Sequence, residues 1–364
     1  MTRLAIIGLG AVTRNIHLPA YESIRGEVEV VGGCDVSASA REAVKGRVQA
    51  VFEDAEAMIK STQPDFVAIC TPPALHREQC LMALDYGCHV LCEKPLAPSM
   101  DEAVEIARAA ERAGRQVVVN TQFPYMSTYQ AAKAQIGTAA FGRLLFMHAW
   151  QTFRRTADTE TGWRGEMERR LCFEFGVHVF ELARFFFDDD PETVTAHMPR
   201  PVAGERADVV NTIALGFEDG RGAAIVLDRL SQGPHRYLEL SLDGEHGSIH
   251  TSIGGEVRME VGLHTASRRP FFGLHVVKGG KAVLQHGDRS RLLAKEGMNP
   301  FAAATARHLR QFIAAVRDGR EPRGAAQDNL KTLALAFAAY DSAESGRMVR
   351  MKEYVGEREE STSL

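Results

Sequence analysis

Lys94 stands in Cys92-Glu93-Lys94-Pro95-Leu96, at the end of an apolar run, His89-Val90-Leu91, that reads as a buried strand. Burial beside polar ligand groups shifts a lysine's pKa and lets it move protons or polarise a carbonyl, although the tripeptide alone also fits a surface lysine. A second set of reactive groups lies in residues 171–185, which are apolar nearly all round, as a buried helix is. In a helix Glu174, His178 and Glu181 follow at i, i+4 and i+7 and share one face. Two carboxylates and an imidazole among apolar residues need partners. A catalytic relay in which an acid orients the histidine meets that need, and so does a structural hydrogen-bonded cluster. Just upstream, Gly162-Trp163-Arg164 offers an amphipathic ring and a forked donor, suited to a sugar-like ligand and equally to packing and a salt bridge. Arg154, Arg155, Arg169 and Arg170 make this neighbourhood basic, which leaves room for an acidic group on a substrate.

The first 120 residues supply elements that would position Lys94 beside a nucleotide. The apolar run at residues 4–7 enters Gly8-Leu9-Gly10-Ala11-Val12-Thr13, a glycine turn between strand and helix. Gly8 permits the tight turn, Gly10 lets a pyrophosphate approach the backbone, and the helix start at Ala11 and Val12 offers N–H groups to the anion. Thr13 replaces the third glycine of that fingerprint. A second strand ends at Asp35, 25 positions after Gly10. A carboxylate there accepts from ribose hydroxyls and repels a 2'-phosphate, which favours NAD over NADP; capping of a helix near Ser37 is its other reading. A further strand, residues 66–70, runs into Thr71-Pro72-Pro73, which starts a helix beside the expected cofactor crevice. His76 is read either as a ribose contact or as an ordinary first-turn polar residue. Ser99 and Glu102 form a capping box, and the last apolar run of this half ends at Asn120. Alternating strand and helix imply a parallel sheet, and Gly8, Asp35, Thr71, Glu93, Lys94 and Asn120 all fall at strand ends, where such sheets bind ligands.

After residue 120 strands follow in series at 144–153, 193–198, 209–217, 222–230, 237–242, 248–252 and 257–263, which points to an antiparallel sheet. Two helices close the chain, one opened by Asn299-Pro300 and one carrying Leu330, Leu333, Phe337 and Tyr340 on one face. At 364 residues two domains are the better expectation. The net charge of -4 shows no basic excess for nucleic acid. No apolar run reaches the roughly 18 residues of a membrane span and no leader precedes the first strand, so a cytoplasmic protein is expected. The six cysteines have no zinc spacing and read as reduced, buried thiols, with no metal.

Taken together, Gly8-x-Gly10, Asn15-Ile16-His17-Leu18-Pro19-Ala20, Thr71-Pro72-Pro73 with His76, Glu93-Lys94-Pro95, Trp163-Arg164, Gly176-Val177-His178 and Tyr340-Asp341-Ser342-Ala343 with Gly346 resemble the Gfo/Idh/MocA family of oxidoreductases. The resemblance implies an α/β chain with an N-terminal Rossmann parallel sheet plus a C-terminal α+β domain with a large, mainly antiparallel open sheet. The implied division is 1–121 for the dinucleotide and 122–341 for substrate and oligomerisation, with residues 342–364 packing back on the first domain. It implies NAD as cofactor, with NADP not excluded, and a homodimer or homotetramer formed through the C-terminal sheet. Lys94 resembles the family's EKP lysine and His178 its proton-relay histidine, with Glu174 where an aspartate is usual. The implied reaction moves a hydride between nicotinamide and a secondary carbinol of a sugar, inositol or related polyol, with Trp163 and Arg164 at the substrate. A non-catalytic dinucleotide sensor, or an enzyme using NAD internally for hydrolysis or elimination, are the alternatives. Three departures stand out: Glu168-Arg169-Arg170 in place of a glycine-rich run, Glu174 itself, and Gln122 where many relatives carry arginine.

Overall fold

The computed structural model describes residues 1–153, 161–232, 237–253, 257–263, 270–276 and 280–354. Arg154 and Arg155 lie outside them. Six strands form the first sheet: β1 (Thr2–Ile7), β2 (Val28–Cys34), β3 (Val51–Phe52), β4 (Phe66–Ile69), β5 (His89–Cys92) and β6 (Val117–Val119). All pair in parallel, in the order β3-β2-β1-β4-β5-β6. The chain therefore moves outward from β1 to β3 and returns to β4 on β1's other side, which places a topological switch point between β1 and β4.

Strand parity assigns each side chain to a face. Ala5, Ile7, Val67, Ile69, Val117 and Val119 join one core, and Leu4, Ile6, Phe66, Ala68 and Val118 join the other. Both faces are buried, as a parallel sheet requires. Helices α1 (Leu18–Ser23), α2 (Ala38–Glu42), α3 (Ala55–Thr62), α4 (His76–Asp85) and α5 (Met100–Ala113) connect these strands. Ser99 caps α5 by accepting from the Glu102 N–H at 3.3 Å.

The second sheet has nine strands: β7 (Leu144–Thr152), β8 (Thr193–His197), β9 (Val210–Gly216), β10 (Gly222–Asp228), β11 (Leu238–Gly244), β12 (Ser248–Ile253) and, after a separate ladder of β13 (Val257–Leu263) with β14 (Pro270–Val276), β15 (Lys281–His286), β16 (Arg289–Lys295) and β17 (Val349–Arg350). Its order is β16-β15-β12-β11-β7-β10-β9-β8-β17, antiparallel except for the parallel β7–β10 pair. Alternating burial in β9 and β11 leaves one face covered and the other open. On the covered face lie α6 (Ser127–Lys133) and α7 (Val177–Phe187), whose Tyr129, Phe180 and Phe186 share a core with Met147, Ala149, Ile225 and Leu240.

Two terminal segments depart from the division by chain order. Helix α8 (Pro300–Arg317), expected in the second domain, instead covers the first sheet with Ala302, Ala306, Leu309 and Phe312 packed against α1 and β4. Its apolar stripe supplies the layer that the short α1 cannot provide alone. Residues 349–350, expected to return to the first domain, extend the second sheet, because β8 offers a free edge that β17 satisfies. Between them α9 (Ala326–Ser345) packs on both α5 and β8 and joins the two halves.

Phe312 is 1 % exposed and meets Phe66 edge-on at 5.0 Å. Phe312→Ala should therefore lower unfolding free energy by about 3–5 kcal/mol in urea titration. A loss below about 1 kcal/mol, the range of surface substitutions, would detach α8 from this core.

Candidate functional site

A cavity of about 810 Å³ opens at the carboxyl ends of β1, β2, β4 and β5, at the switch point. Its walls include Gly8, Gly10, Ala11, Val12, Asp35, Thr71, Pro72, Glu93 and Lys94 from the first sheet, and Trp163, Arg164 and Glu174 from the second half. Gly8 has φ +91°, and an added Cβ would lie 2.8 Å from the Cys70 carbonyl carbon, so backbone crowding as well as conformation requires glycine. An added Cβ at Gly10 would meet nothing within 4 Å, which leaves open space over the helix start. The departure at Thr13 is accommodated locally: its buried hydroxyl donates to the Gly8 carbonyl at 2.6 Å. Asp35 accepts from the Leu9 N–H and the Ser37 N–H, each at 2.8 Å, tying the glycine turn to the end of β2 while its carboxylate still borders the cavity. Open space over a helix start, beside a carboxylate with remaining lone pairs, fits the pyrophosphate and ribose of a dinucleotide.

Behind Lys94 lies a buried polar chain. Glu93 Oε1 accepts from His17 Nε2 at 2.7 Å and from Asn120 Nδ2 at 2.8 Å, and His17 Nδ1 meets the Tyr21 hydroxyl at 2.7 Å. Burial alone would raise the Glu93 pKa, but the bonds and charge of His17, the Asn120 amide and the Lys94 charge outweigh it and bring it to about 2. For His17 burial opposes the charged ring, yet Cys70, Tyr21 and Glu93 together hold its pKa well above the ordinary value. The pair is thus an imidazolium and a carboxylate. Asn120 also faces His308 Nδ1 at 3.3 Å.

Two expected cofactor contacts move into this supporting layer. Asn120 is 0 % exposed, with its amide committed to Glu93. His76 is also 0 % exposed; its Nε2 lies 2.9 Å from the Thr71 carbonyl and its Nδ1 3.0 Å from the Pro95 carbonyl. It clasps the two loops that flank the cleft and does not line the cavity.

Lys94 is half-buried, and its ammonium donates to the main-chain carbonyl of Glu174 while lying 5.9 Å from the Phe175 ring centroid. Burial lowers its pKa, helped by Arg164, against the opposing pull of Glu174 and Glu93. The direct partner is therefore the carbonyl of the helix turn before His178, and not the His178 imidazole. His178 is buried, stacked on Phe123 at 4.0 Å between centroids, with Nδ1 unpaired among the described residues. It is not among the residues lining the cavity. Burial and then the Lys94 charge push its pKa well below the ordinary value, so the ring is neutral.

The acids expected on one face with His178 part company. A π-helical turn, Cys172–Gly176, precedes α7, and such turns commonly mark functional sites. Its Glu174 accepts from Arg164 Nε at Oε1 and from Arg170 Nε at Oε2, the latter at 2.8 Å. Burial would raise the Glu174 pKa, but Lys94, Arg170 and Arg164 lower it. Glu181 instead bonds Arg323 at 2.9 Å and Thr332 at 2.8 Å in a separate buried cluster. The widened turn and the competing arginines explain the split. A second π turn, Thr13–His17, delivers His17 to Glu93.

Sequence reading missed the roles of His17 and Arg170. The signal for His17 was a lone imidazole in an apolar helix start before Pro19; for Arg170, it was the i, i+4 spacing to Glu174. The six cysteines are buried and free, and no group of three or more His, Cys, Asp or Glu among the described residues could hold a metal. Nor is any described helix long and apolar enough to cross a membrane.

Residues 2–121 match a family model described as an oxidoreductase family with an NAD-binding Rossmann fold, and residues 129–250 match the GFO/IDH/MocA C-terminal domain. A D-apiose dehydrogenase of Paraburkholderia graminis is 30% identical, with 99% of this chain and 92% of that protein covered. A D-apiose dehydrogenase of Rhizobium rhizogenes is 28% identical over 96% of this chain and 98% of that one. Among solved structures, an oxidoreductase from Agrobacterium radiobacter in complex with NAD+, L-tartaric acid and magnesium shares the fold at a TM-score of 0.80, with 22% identity and coverage of 97% and 99%.

Removing the Glu93 charge should leave His17 as an unpaired buried cation. A raised folded-state pKa stabilises fully below the unfolded value and is lost as pH rises through the folded value; Glu93, with its lowered pKa, contributes above its unfolded value and loses that contribution as pH falls towards about 2. In Glu93→Gln the NMR titration midpoint of His17 should fall, with a stability loss near neutral pH of about 3 kcal/mol. An unmoved midpoint would mean that Glu93 does not hold the proton on His17.

Proposed function

Because the chain belongs to the GFO/IDH/MocA family of oxidoreductases, with its NAD-binding Rossmann domain, we propose that it transfers a hydride between NAD and a secondary hydroxyl or carbonyl of a sugar or polyol. The observation that carries this reading is a lysine of lowered pKa at the β5 end, inside the cleft that also holds the glycine turn and Asp35. Bound nicotinamide supplies the hydride acceptor or donor. The protein's own groups do the rest. Gly8, Gly10, Ala11 and Val12 receive the pyrophosphate, and Asp35 accepts from the ribose hydroxyls and disfavours a 2'-phosphate, hence NAD over NADP.

Lys94 handles the proton of the reacting hydroxyl. Its neutral amine takes the proton when the alcohol is oxidised, and its ammonium returns one when the carbonyl is reduced. His178, neutral and within the electrostatic reach of Lys94, is the second member of this relay. Trp163 presents a ring to the sugar's carbon face from the far wall. The activity of the two D-apiose dehydrogenases supports a carbohydrate substrate of this kind.

The open face of the large sheet, where Trp150 is 43% exposed, is assigned to homo-oligomer formation. Sedimentation of the protein should show a dimer or tetramer, and a monomer at micromolar concentration would remove that assignment.

A polyol and sugar panel followed by NADH absorbance identifies the substrate. With it, Lys94→Met should lower kcat by about 100- to 10,000-fold while still binding NAD more tightly than NADP. Wild-type kcat/KM for oxidation should rise with pH through a midpoint below the ordinary lysine value, since the depressed pKa frees the amine earlier, and this inflection should vanish in the variant. Full turnover by a folded Lys94→Met protein would end the assignment.

A further inference from the structure

Arg164 is anchored at one end and open at the other. Its Nε donates to Glu174 Oε1 and its guanidinium stacks on Trp163 at 4.3 Å. Neither Nη has a partner among the described residues; the side chain is 43% exposed and lines the same cavity as Lys94, from the opposite wall. Nε anchoring and ring stacking restrict the side chain before any ligand arrives, so less freedom is lost when the fork is filled.

Cations gather around Glu174 beside this fork. Glu174, 6 % exposed, is answered twice, by Arg164 and by the 1 % exposed Arg170, with the Lys94 ammonium on its carbonyl. Glu93 is matched by His17. A guanidinium edge held open in this way is completed by an anion with two matching acceptors.

We propose that the substrate is a carboxylate-bearing sugar or polyol, an aldonate or uronate, whose carboxylate is bound by the Nη fork of Arg164. A guanidinium edge and a carboxylate match in two parallel hydrogen bonds, which a hydroxyl cannot reproduce. Glu174 then acts as a positioning residue: it holds Arg164 by Nε and leaves the fork free. Its extra methylene relative to aspartate and its second bond to Arg170 serve that hold. The inference rests on the reading of the cleft as a carbohydrate dehydrogenase site.

The test uses the NAD-loaded protein and pairs that differ in the carboxylate: D-glucuronate with D-glucose, D-galacturonate with D-galactose, D-gluconate with D-glucitol. Calorimetry should show at least one acid binding at millimolar concentration or below, at least tenfold more tightly than its neutral counterpart. Arg164→Gln should weaken that acid by roughly 10- to 100-fold and collapse the acid-to-neutral ratio, and Arg164→Lys, keeping the charge but not the fork, should fall between. Unchanged NAD affinity and melting temperature in both variants show that folding is intact; if either is lost, wild-type binding of the acid against rising salt decides, since a charge-bound acid weakens and its neutral partner does not. Equal binding within every pair, no binding by any acid, or an acid affinity indifferent to Arg164→Gln overturns the inference. Acid binding that depends on Arg164 without NADH formation would sustain it and sink the dehydrogenase reading; NADH formed equally from neutral members would do the reverse.

Discussion

A buried carboxylate has to be answered, and Glu93 at the end of β5 is answered from three directions. His17 comes from the first helix of the chain, Asn120 from the end of β6, and the Lys94 N–H from the next residue at 3.3 Å. Removing a carboxylate from water costs several kcal/mol unless such partners are in place. The arrangement therefore fixes three strand and helix ends relative to one another. It also decides what Lys94 can do. With Glu93 already matched by His17, the lysine is not drawn into an ion pair with its own neighbour and reaches across the cleft to Glu174. Burial can then lower its pKa, as proton transfer near neutral pH requires.

The second half of the chain contributes the opposite wall, and its chemistry is dominated by cations. The π turn before α7 presents the Glu174 carbonyl to Lys94 and the Glu174 carboxylate to Arg164 and Arg170. His178, one turn on, is packed against Phe123 and kept neutral by burial and by Lys94. One short segment thus holds a cation at the cleft edge and a neutral imidazole behind it. Both depend on the packing of α7 against β7 and on the segment Phe123–Tyr125, not on the loop alone.

Much of the fold was legible because its signals are local. The continuous apolar runs at residues 4–7 and 66–69, the turn at Gly8 and Gly10, the Ser99 cap and the Asn299-Pro300 helix start each rest on a few consecutive residues. Gly8, Asp35, Thr71 and Lys94, read from the sequence at strand ends, all border one cavity. Asn120 and His76 also sit at element ends, yet they turned inward, because a strand end has a buried side as well as an open one. Helix α8 misled for a different reason: its apolar stripe states that it covers a core and says nothing about which one.

By itself the sequence determined the alternating order of elements, the parallel sheet with its glycine turn and acid, and the lysine at its edge, since propensity, periodicity and capping act between near neighbours. Only the tertiary structure decided the pairings. That Lys94 meets Glu174 across 80 residues, that Glu174 takes two arginines in place of His178, and that His17 neutralises Glu93 are outcomes of competition among charges that the fold brings within a few ångströms. Such competition is settled by distance and burial, and neither exists until the two halves are packed.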